Sequence, residues 1–372
     1  MEENPGPPDP YGTPPQGGPA PSHPRPAYPP PGYPPPGYPQ QPYAQQPYSQ
    51  QPGGPAYPAP APYPYPPAKP PSWFLPTPRG ARYDHLARTP EARLWRQIVG
   101  TLVLACGFVL VSVIVVVAGA TIASIVGIPA PLRPDELFGD PVFSLVVLLL
   151  SIALVLPVVF GTAALIQRRR PGTLSSVRGR LRWSWLLWCC GLAVLALVLG
   201  QGAQVVALAA TGGDVSAVFG WAGWGVLVPA LVVIVLVVPF QAAAEEYIFR
   251  GWVLQAFGAH LRNPVWGIVI GSVVFASLHG YTWVGLIDVF SFGVVMGWLA
   301  VRTGGLEAPI ALHVVNNMVA FGLSAAAGQL EDALRQGEVP WQSLAGTVVQ
   351  LSVFAAGTLY LAKKRSIEPV SP

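Results

Sequence analysis

Long, almost uncharged runs of apolar residues recur along this 372-residue chain and limit what it can fold into. Each run has about 20 residues, which as a helix is long enough to cross about 30 Å of hydrocarbon. Only 10% of all residues are charged, against roughly 25% in a soluble domain. The sequence therefore predicts an all-α, multi-pass transmembrane bundle, which we expect in the lipid bilayer of the plasma membrane.

Hydropathy predicts eight membrane-spanning helices, two of which are short. They cover roughly 97–125, 142–166, 184–210, 222–239 with a kinked continuation to about 258, 264–280, 283–301, 307–327 and 343–362. Arginine and lysine gather in alternate connecting segments, such as QRRRPGTLSSVRGRLRW and the terminal KKR, whereas acidic residues gather in the others. Because positive residues favour the cytoplasmic side, this alternation predicts that both termini are cytoplasmic.

Residues 1–80 differ in composition from the rest of the chain. The stretch YPPPGYPPPGYPQQPYAQQPYSQQP combines Tyr, Pro, Gly and Gln without hydrophobic periodicity. Such a segment cannot bury enough apolar surface to offset the entropy of ordering it, so we predict a disordered, partly polyproline-II tail. Its role stays open between a spacer and a ligand for a proline-binding protein partner. No nucleic-acid partner is expected.

Ionisable residues at membrane depth mark functional sites, because a charge in hydrocarbon costs at least a few kcal/mol unless it is paired or hydrated. The first such set lies in AAAEEYIFRGW, where Glu246 and Arg250 are four residues apart and can neutralise each other on a helix. Glu245 points about 100° away from them, which leaves its carboxylate available as a general base. Taken alone, the same residues also fit a salt bridge just below the lipid.

Two further polar sets follow on later spans. In FASLHG, His279 ends an apolar run and Phe275 lies one turn earlier on the same face. In LHVVNN, His313 and Asn317 are four residues apart, so that they can donate two hydrogen bonds to one oxygen, as a developing oxyanion requires. Taken alone, these residues also fit an interfacial histidine and hydrogen bonding between helices.

Together the three sets fit two mechanisms of hydrolysis. In the first, Glu245 and His279 activate a water molecule while His313 and Asn317 bind the oxyanion. In the second, Glu245, His279 and His313 bind Zn²⁺, and the zinc-bound water is the nucleophile. The sequence has no HExxH motif, which slightly favours the metal-free mechanism.

The order of these motifs resembles that of a known family. EEYIFR, FASLH and HVVNN correspond to the EExxxR, FxxxH and HxxxN motifs of the CAAX-protease and bacteriocin-processing (CPBP) family, also called Abi proteins. The chain is similar in this respect to the type II CAAX prenyl endopeptidase. The resemblance covers residues 180–330, which would form the catalytic core between N-terminal transmembrane helices over 97–175 and a C-terminal one over 340–365.

The resemblance implies an intramembrane endopeptidase whose bundle of about eight helices encloses a cavity open to the cytoplasm and the membrane. It implies catalytic roles for the four residues of the metal-free mechanism, Glu245, His279, His313 and Asn317. It implies supporting roles for Glu246, Arg250 and Phe275. The family is often labelled metalloprotease, so zinc stays open as a cofactor. The eukaryotic prenylated substrate is not carried over; a membrane-associated peptide or protein is expected instead. Two alternatives stay open, a non-catalytic membrane scaffold or bacteriocin-immunity protein of the same fold and a small transporter.

Overall fold

The computed structural model describes residues 72–213, 215 and 220–372, and within these residues it contains helices and no β-strand. The all-α class predicted from the sequence is confirmed. Two 3₁₀ turns, Tyr83–His85 and Pro171–Leu174, and one π-helical segment accompany the α-helices. The α-helices are α1 Leu94–Val126, α2 Pro141–Ala153, α3 Leu156–Leu165, α4 Trp183–Ala210, α5 Trp224–Glu246, α6 Leu254–Gly258, α7 Val265–Ser277, α8 Trp283–Thr303, α9 Glu307–Ala326, α10 Leu330–Arg335 and α11 Ser343–Lys364.

Seven helical segments of the described residues are long and apolar enough to cross a membrane. They are Leu94–Val126, Pro141–Leu165, Trp183–Ala210, Trp224–Gly258, Trp283–Thr303, Glu307–Ala326 and Ser343–Lys364. The eighth predicted span, 264–280, is present only as α7, whose 13 residues rise about 20 Å against about 30 Å of hydrocarbon. The predicted count is therefore corrected to seven full spans and one short apolar helix.

The short helix α7 nevertheless packs along α8 as an antiparallel partner. Gly297 of α8 lies against Ile268, and Gly293 lies against Ser272, so that residue numbers rise on one helix as they fall on the other. A Cβ added to Gly293 would lie 2.8 Å from the Ser272 Cβ, so glycine is what permits this close approach. Beyond α7, residues 278–282 continue as an irregular segment to the start of α8.

Hydrogen bonds join several helix ends on one side of the bundle. We call this side the basic end. Arg88, before α1, donates to the carbonyls of Gly258, the last residue of α6, and of Leu261. Arg182, before α4, donates to the Thr303 carbonyl at the end of α8. Exposed cations at this end include Arg170, Arg178, Arg180, Lys363 and Lys364. Exposed tryptophans, which favour membrane interfaces, lie near both ends of the bundle. Those near the basic end are Trp73, Trp95, Trp183 and Trp266, and those near the opposite end are Trp221, Trp224, Trp283 and Trp341. That the basic end is cytoplasmic stays a prediction.

The predicted disordered tail falls largely on residues 1–71, which lie outside the described residues. Residues 72–80, which the prediction included in the tail, pack on the basic end. The Trp73 indole donates to the Ala164 carbonyl at 3.0 Å, and the backbone N–H of Gly80 donates to the Ser371 carbonyl at 3.0 Å. The predicted disorder therefore does not extend through residue 80.

A buried ion pair fixes the start of α9. Glu307 is fully buried, and its two carboxylate oxygens accept from Nε and Nη2 of Arg182 at 2.9 and 2.7 Å. The backbone N–H of Arg182 also donates to Glu307 Oε1 at 2.9 Å. Such a bidentate geometry orients both partners, so α9 enters the bundle at a set position relative to α4.

Replacing Glu307 by glutamine is expected to lower the free energy of unfolding by about 3–5 kcal/mol, because the Arg182 side chain, which is only 14% exposed, would lose its carboxylate partner. Thermal or denaturant unfolding in detergent measures the effect. Glu368→Gln is the matched control, since Glu368 pairs with the exposed Arg178 and such surface pairs contribute about 0–1 kcal/mol. Equal losses for the two variants would contradict the assignment.

Candidate functional site

The polar stretch of α5 lies where the helix changes type. Pro239 is inside α5, and the α-helix ends at Glu246. A π-helical segment, Tyr247–Val253, follows before α6 resumes the α-helical pattern. Single π-helical turns are rare and occur frequently at functional sites, so this irregularity directs attention to the residues beside it.

Glu246 lies at the centre of a buried network. Its Oε1 accepts from Arg250 Nη1 at 2.8 Å, which is the pair that the i, i+4 spacing predicts, and lies 2.7 Å from His313 Nδ1. The Arg250 guanidinium lies over the rings of Phe275 and Phe292, with 4.3 and 5.7 Å to their centroids. Glu246 is fully buried, so the arginine and the histidine are what compensate its charge.

Glu245 lies on the other side of the same imidazole. Its Oε2 is 3.2 Å from His313 Nε2, and its side chain is 13% exposed, in contrast to that of Glu246. The His313 ring, which is buried and comes from α9, therefore has one carboxylate at each nitrogen. The structure thus brings the first and third polar sets of the sequence into direct contact.

His279 joins this group through an aromatic contact. Its ring lies 4.7 Å from the Phe275 ring, and the Phe275 ring lies 6.0 Å from that of His313. His279 Nδ1 is 2.8 Å from the Phe275 carbonyl oxygen. Because a carbonyl oxygen can only accept, Nδ1 carries a proton, and in the neutral ring Nε2 is then the atom with the lone pair that a base requires. His279 is partly exposed, so the residue that carries Nε2 is not fully buried.

Asn317 reaches the site through a residue that sequence reasoning missed. Its Nδ2 donates to Gln241 Oε1 at 3.1 Å. Gln241 is buried and lies one turn before Glu245 on α5. A glutamine inside an apolar span, four residues before a glutamate, is the signal that could have identified it. The two oxyanion donors predicted from the sequence, His313 and Asn317, here face Glu245 and Gln241.

Other polar residues at membrane depth form separate contacts with α11. Asn316 Oδ1 accepts from Gln350 Nε2 at 2.8 Å, and Asp288 Oδ1 accepts from the Thr347 hydroxyl at 2.8 Å. Asp288 was also missed by the sequence analysis. These contacts join α11 to α9 and α8 by hydrogen bonds between helices, a common source of stability in membrane proteins.

The residues predicted as zinc ligands do not form a three-ligand group. Among the described residues, no three His, Cys, Asp or Glu side chains lie close enough together to hold a metal ion. Glu245 and His313 are adjacent, with Glu245 Oε2 3.2 Å from His313 Nε2, whereas His279 reaches this pair only through the Phe275 ring. A site of two histidines and one carboxylate needs all three to converge on one point. The choice between the metal-free and the zinc-dependent mechanism therefore stays a prediction.

A second buried polar network lies beside α6, at the basic end. Arg169 Nη1 donates to Gln255 Oε1 at 2.7 Å, and the Tyr83 hydroxyl donates to the Leu174 carbonyl. Burial lowers the pKa of Arg169 to about 10 and raises the pKa of Tyr83 well above its usual value. Both groups therefore keep their ordinary protonation states at neutral pH, Arg169 as a cation and Tyr83 as a neutral phenol. We interpret this network as structural.

Comparison with known proteins agrees with the motifs. Residues 224–319 match the family model described as type II CAAX prenyl endopeptidase Rce1-like, and this segment contains every residue of the candidate site. The uncharacterized protein YyaK of Bacillus subtilis (strain 168) is 37% identical over 91 residues, which are 22% of this chain and 30% of that relative. No solved structure is a significant match. The resemblance inferred from the three motifs is thereby confirmed for this segment of a multi-pass membrane protein.

Proposed function

We propose that this chain, whose residues 224–319 match the Rce1-like family model, is an intramembrane endopeptidase that cleaves a membrane-associated peptide or protein. One observation carries the proposal: the partly accessible Glu245 carboxylate lies 3.2 Å from His313 Nε2 in the interior of a helix bundle. A charged carboxylate at membrane depth is costly unless it is paired or hydrated, so its presence there indicates a function. Hydrolysis would give this carboxylate a function, because a general base must be an accessible proton acceptor at a fixed position.

In the proposed reaction, Glu245 and His279 activate a water molecule. Both supply an acceptor, and Glu245 lies within electrostatic range of both imidazoles. The water oxygen attacks the carbonyl carbon, its proton passes to this pair, and the carbonyl π electrons move to oxygen. The carbon–nitrogen bond then breaks, and the proton passes to the leaving nitrogen. The products are a carboxylic acid and an amine, with no cofactor consumed.

We assign the oxyanion contacts of this reaction to His313 and Asn317. Their donors face Glu245 and Gln241, so the substrate carbonyl oxygen would replace those two acceptors when it binds. Glu246 would keep its bond to His313 Nδ1 throughout, which orients Nε2 toward the substrate. Arg250 supports the arrangement by balancing the Glu246 charge.

The proposed substrate is a peptide or the end of a membrane protein. The matching family model is named for a prenyl endopeptidase, and that description concerns its own members. In this chain, the site lies at the level of the apolar spans, so a substrate must itself partition into or beside the bilayer.

The test is a cleavage assay with the full-length protein in liposomes, using internally quenched hydrophobic peptides and mass spectrometry of new termini. His279→Ala is expected to lower kcat about 100-fold, since it removes one of the two acceptors. His260→Ala is the control, because His260 is exposed after α6. Full activity of His279→Ala would contradict the mechanism. A wild-type protein that cleaves none of the peptides would favour the scaffold alternative.

A further inference from the structure

The segment between α9 and α11 approaches the candidate site from the end opposite the basic end. Helix α10 is followed by Gln336 and Gly337, both with positive φ, 67° and 62°. The left-handed region is ordinary for glycine and unfavourable for a residue with a Cβ. Among the described residues, only Arg168 and Ser366 share this property with Gln336 outside glycine. A backbone of this kind persists where its surroundings fix it.

Gln336 and Gly337 bind the turn that follows α7. The backbone N–H of Gly280 donates to Gln336 Oε1 at 2.6 Å, and the Gly280 carbonyl accepts from Gly337 N at 3.3 Å. The backbone N–H of Thr282 donates to the Gly337 carbonyl at 3.0 Å. The backbone N–H and carbonyl groups of this turn thus form hydrogen bonds with a segment more than fifty residues later in the chain.

His279 depends on that turn because it lies beyond the last residue of α7. On its N-terminal side, its backbone N–H bonds to the Ala276 carbonyl at 3.0 Å and its ring bonds to the Phe275 carbonyl. On its C-terminal side, its next neighbour is Gly280. The Tyr281 ring lies nearly parallel to the His279 ring, at 11° and 6.2 Å between centroids. A shift of the turn would therefore move the imidazole.

The position of Gln336 is in turn fixed by its neighbour Arg335. Arg335 binds Asp135 at 2.9 Å and Glu136 at 3.2 Å, both in the loop between α1 and α2, and Asp332 at 3.1 Å. These ion pairs connect the segment between α9 and α11 to the loop between α1 and α2. None of these residues lies within 224–319, so they are outside the part of the chain that the family model matches.

We propose that Gln336 is a positioning residue for His279, which it holds in the place required for activating water through the Gly280 N–H. This inference rests on the proposed peptidase function. It assigns a role in hydrolysis to a side chain that does not touch the reacting atoms.

Gln336→Gly in the full-length protein tests the proposal, because it removes the amide oxygen and relaxes the backbone at the same time. The expected result is a 10- to 100-fold lower kcat, with KM within twofold of wild type, since misplacing a catalytic group by about 1 Å can cost 100-fold. The pH profile of kcat is expected to change as well, because water would be activated by Glu245 without the imidazole. Gln336→Glu keeps an acceptor oxygen at the same reach and is expected to retain kcat within threefold.

The matched control is Gln329→Gly, at an exposed glutamine just before α10, which is expected to behave as wild type. A Gln336→Gly kcat within threefold of wild type would overturn the proposal, as would an equal loss in Gln336→Glu and Gln336→Gly. Glu245→Gln separates the two hypotheses. If it keeps full cleavage, the peptidase mechanism itself fails, whereas if it loses cleavage while Gln336→Gly does not, only the positioning role fails.

Discussion

Replacing Glu245 by glutamine is expected to lower kcat by about 1,000-fold or more while the protein stays folded. Glutamine has nearly the same shape, and its amide oxygen can still accept from His313 Nε2, which lies 3.2 Å from the carboxylate. It cannot take a proton from water, and general-base catalysis contributes about 10²- to 10⁴-fold. Single-turnover cleavage of a hydrophobic peptide in liposomes measures the loss.

Glu338→Gln is the control for this substitution, because Glu338 is exposed outside the bundle and its loss should change neither rate nor stability. The melting temperature of Glu245→Gln is expected to stay close to that of wild type. Cleavage at the wild-type rate would remove Glu245 from the mechanism. Uptake of a solute driven by an ion gradient in the same liposomes, lost in Glu245→Gln, would support the transporter alternative instead.

Features that depend on local helix geometry could be predicted from the sequence. The pairing of Glu246 with Arg250 follows from a spacing of four residues on one helix, and the two atoms are indeed 2.8 Å apart. The apolar spans were also predictable, because their lengths are set by the thickness of the bilayer. Both inferences use only residues that are close together in the chain.

Features that depend on the relative placement of helices could not be predicted in the same way. The spacing of His313 and Asn317 says that they share a face of α9, and does not say that His313 lies between two carboxylates of α5. The bond from Asn317 to Gln241 likewise depends on the rotation of one helix against another. Hydrophobic periodicity fixes which face is apolar, and leaves the contacts across helices undetermined.

The length of α7 shows the same limit in the backbone. Hydropathy extends the span to 280, because residues up to Leu278 are mostly apolar. The helix ends at Ser277, and the following turn bonds to Gln336 and Gly337. The end of the helix coincides with Gly280 and with a contact to a distant segment, and hydropathy records neither of these.

Removing the Glu246 carboxylate is expected to lower the stability of the fold, whereas Glu245→Gln is expected to lower kcat and leave the stability unchanged. Glu246→Ala would leave the Arg250 guanidinium and His313 Nδ1 buried without their shared acceptor. Breaking one partner of a buried pair costs about 3–5 kcal/mol, so a large fall in melting temperature and in yield of folded protein is expected. Thermal unfolding in detergent measures it, and a wild-type melting curve would contradict the buried network.

A double substitution separates the structural from the catalytic part of this effect. Glu246→Gln with Arg250→Met leaves no unpaired charge, keeps an acceptor for His313, and places an apolar side chain against the Phe275 and Phe292 rings that Arg250 covers. We expect the pair to regain most of the stability that Glu246→Ala loses, since apolar replacement of a buried ion pair is often neutral or favourable. Cleavage should stay reduced, because the neutral amide that replaces the Glu246 carboxylate orients His313 less strongly than the carboxylate does. If the double variant is both stable and fully active, the ion pair only fills space, and Glu245 acts without help from the carboxylate beside it.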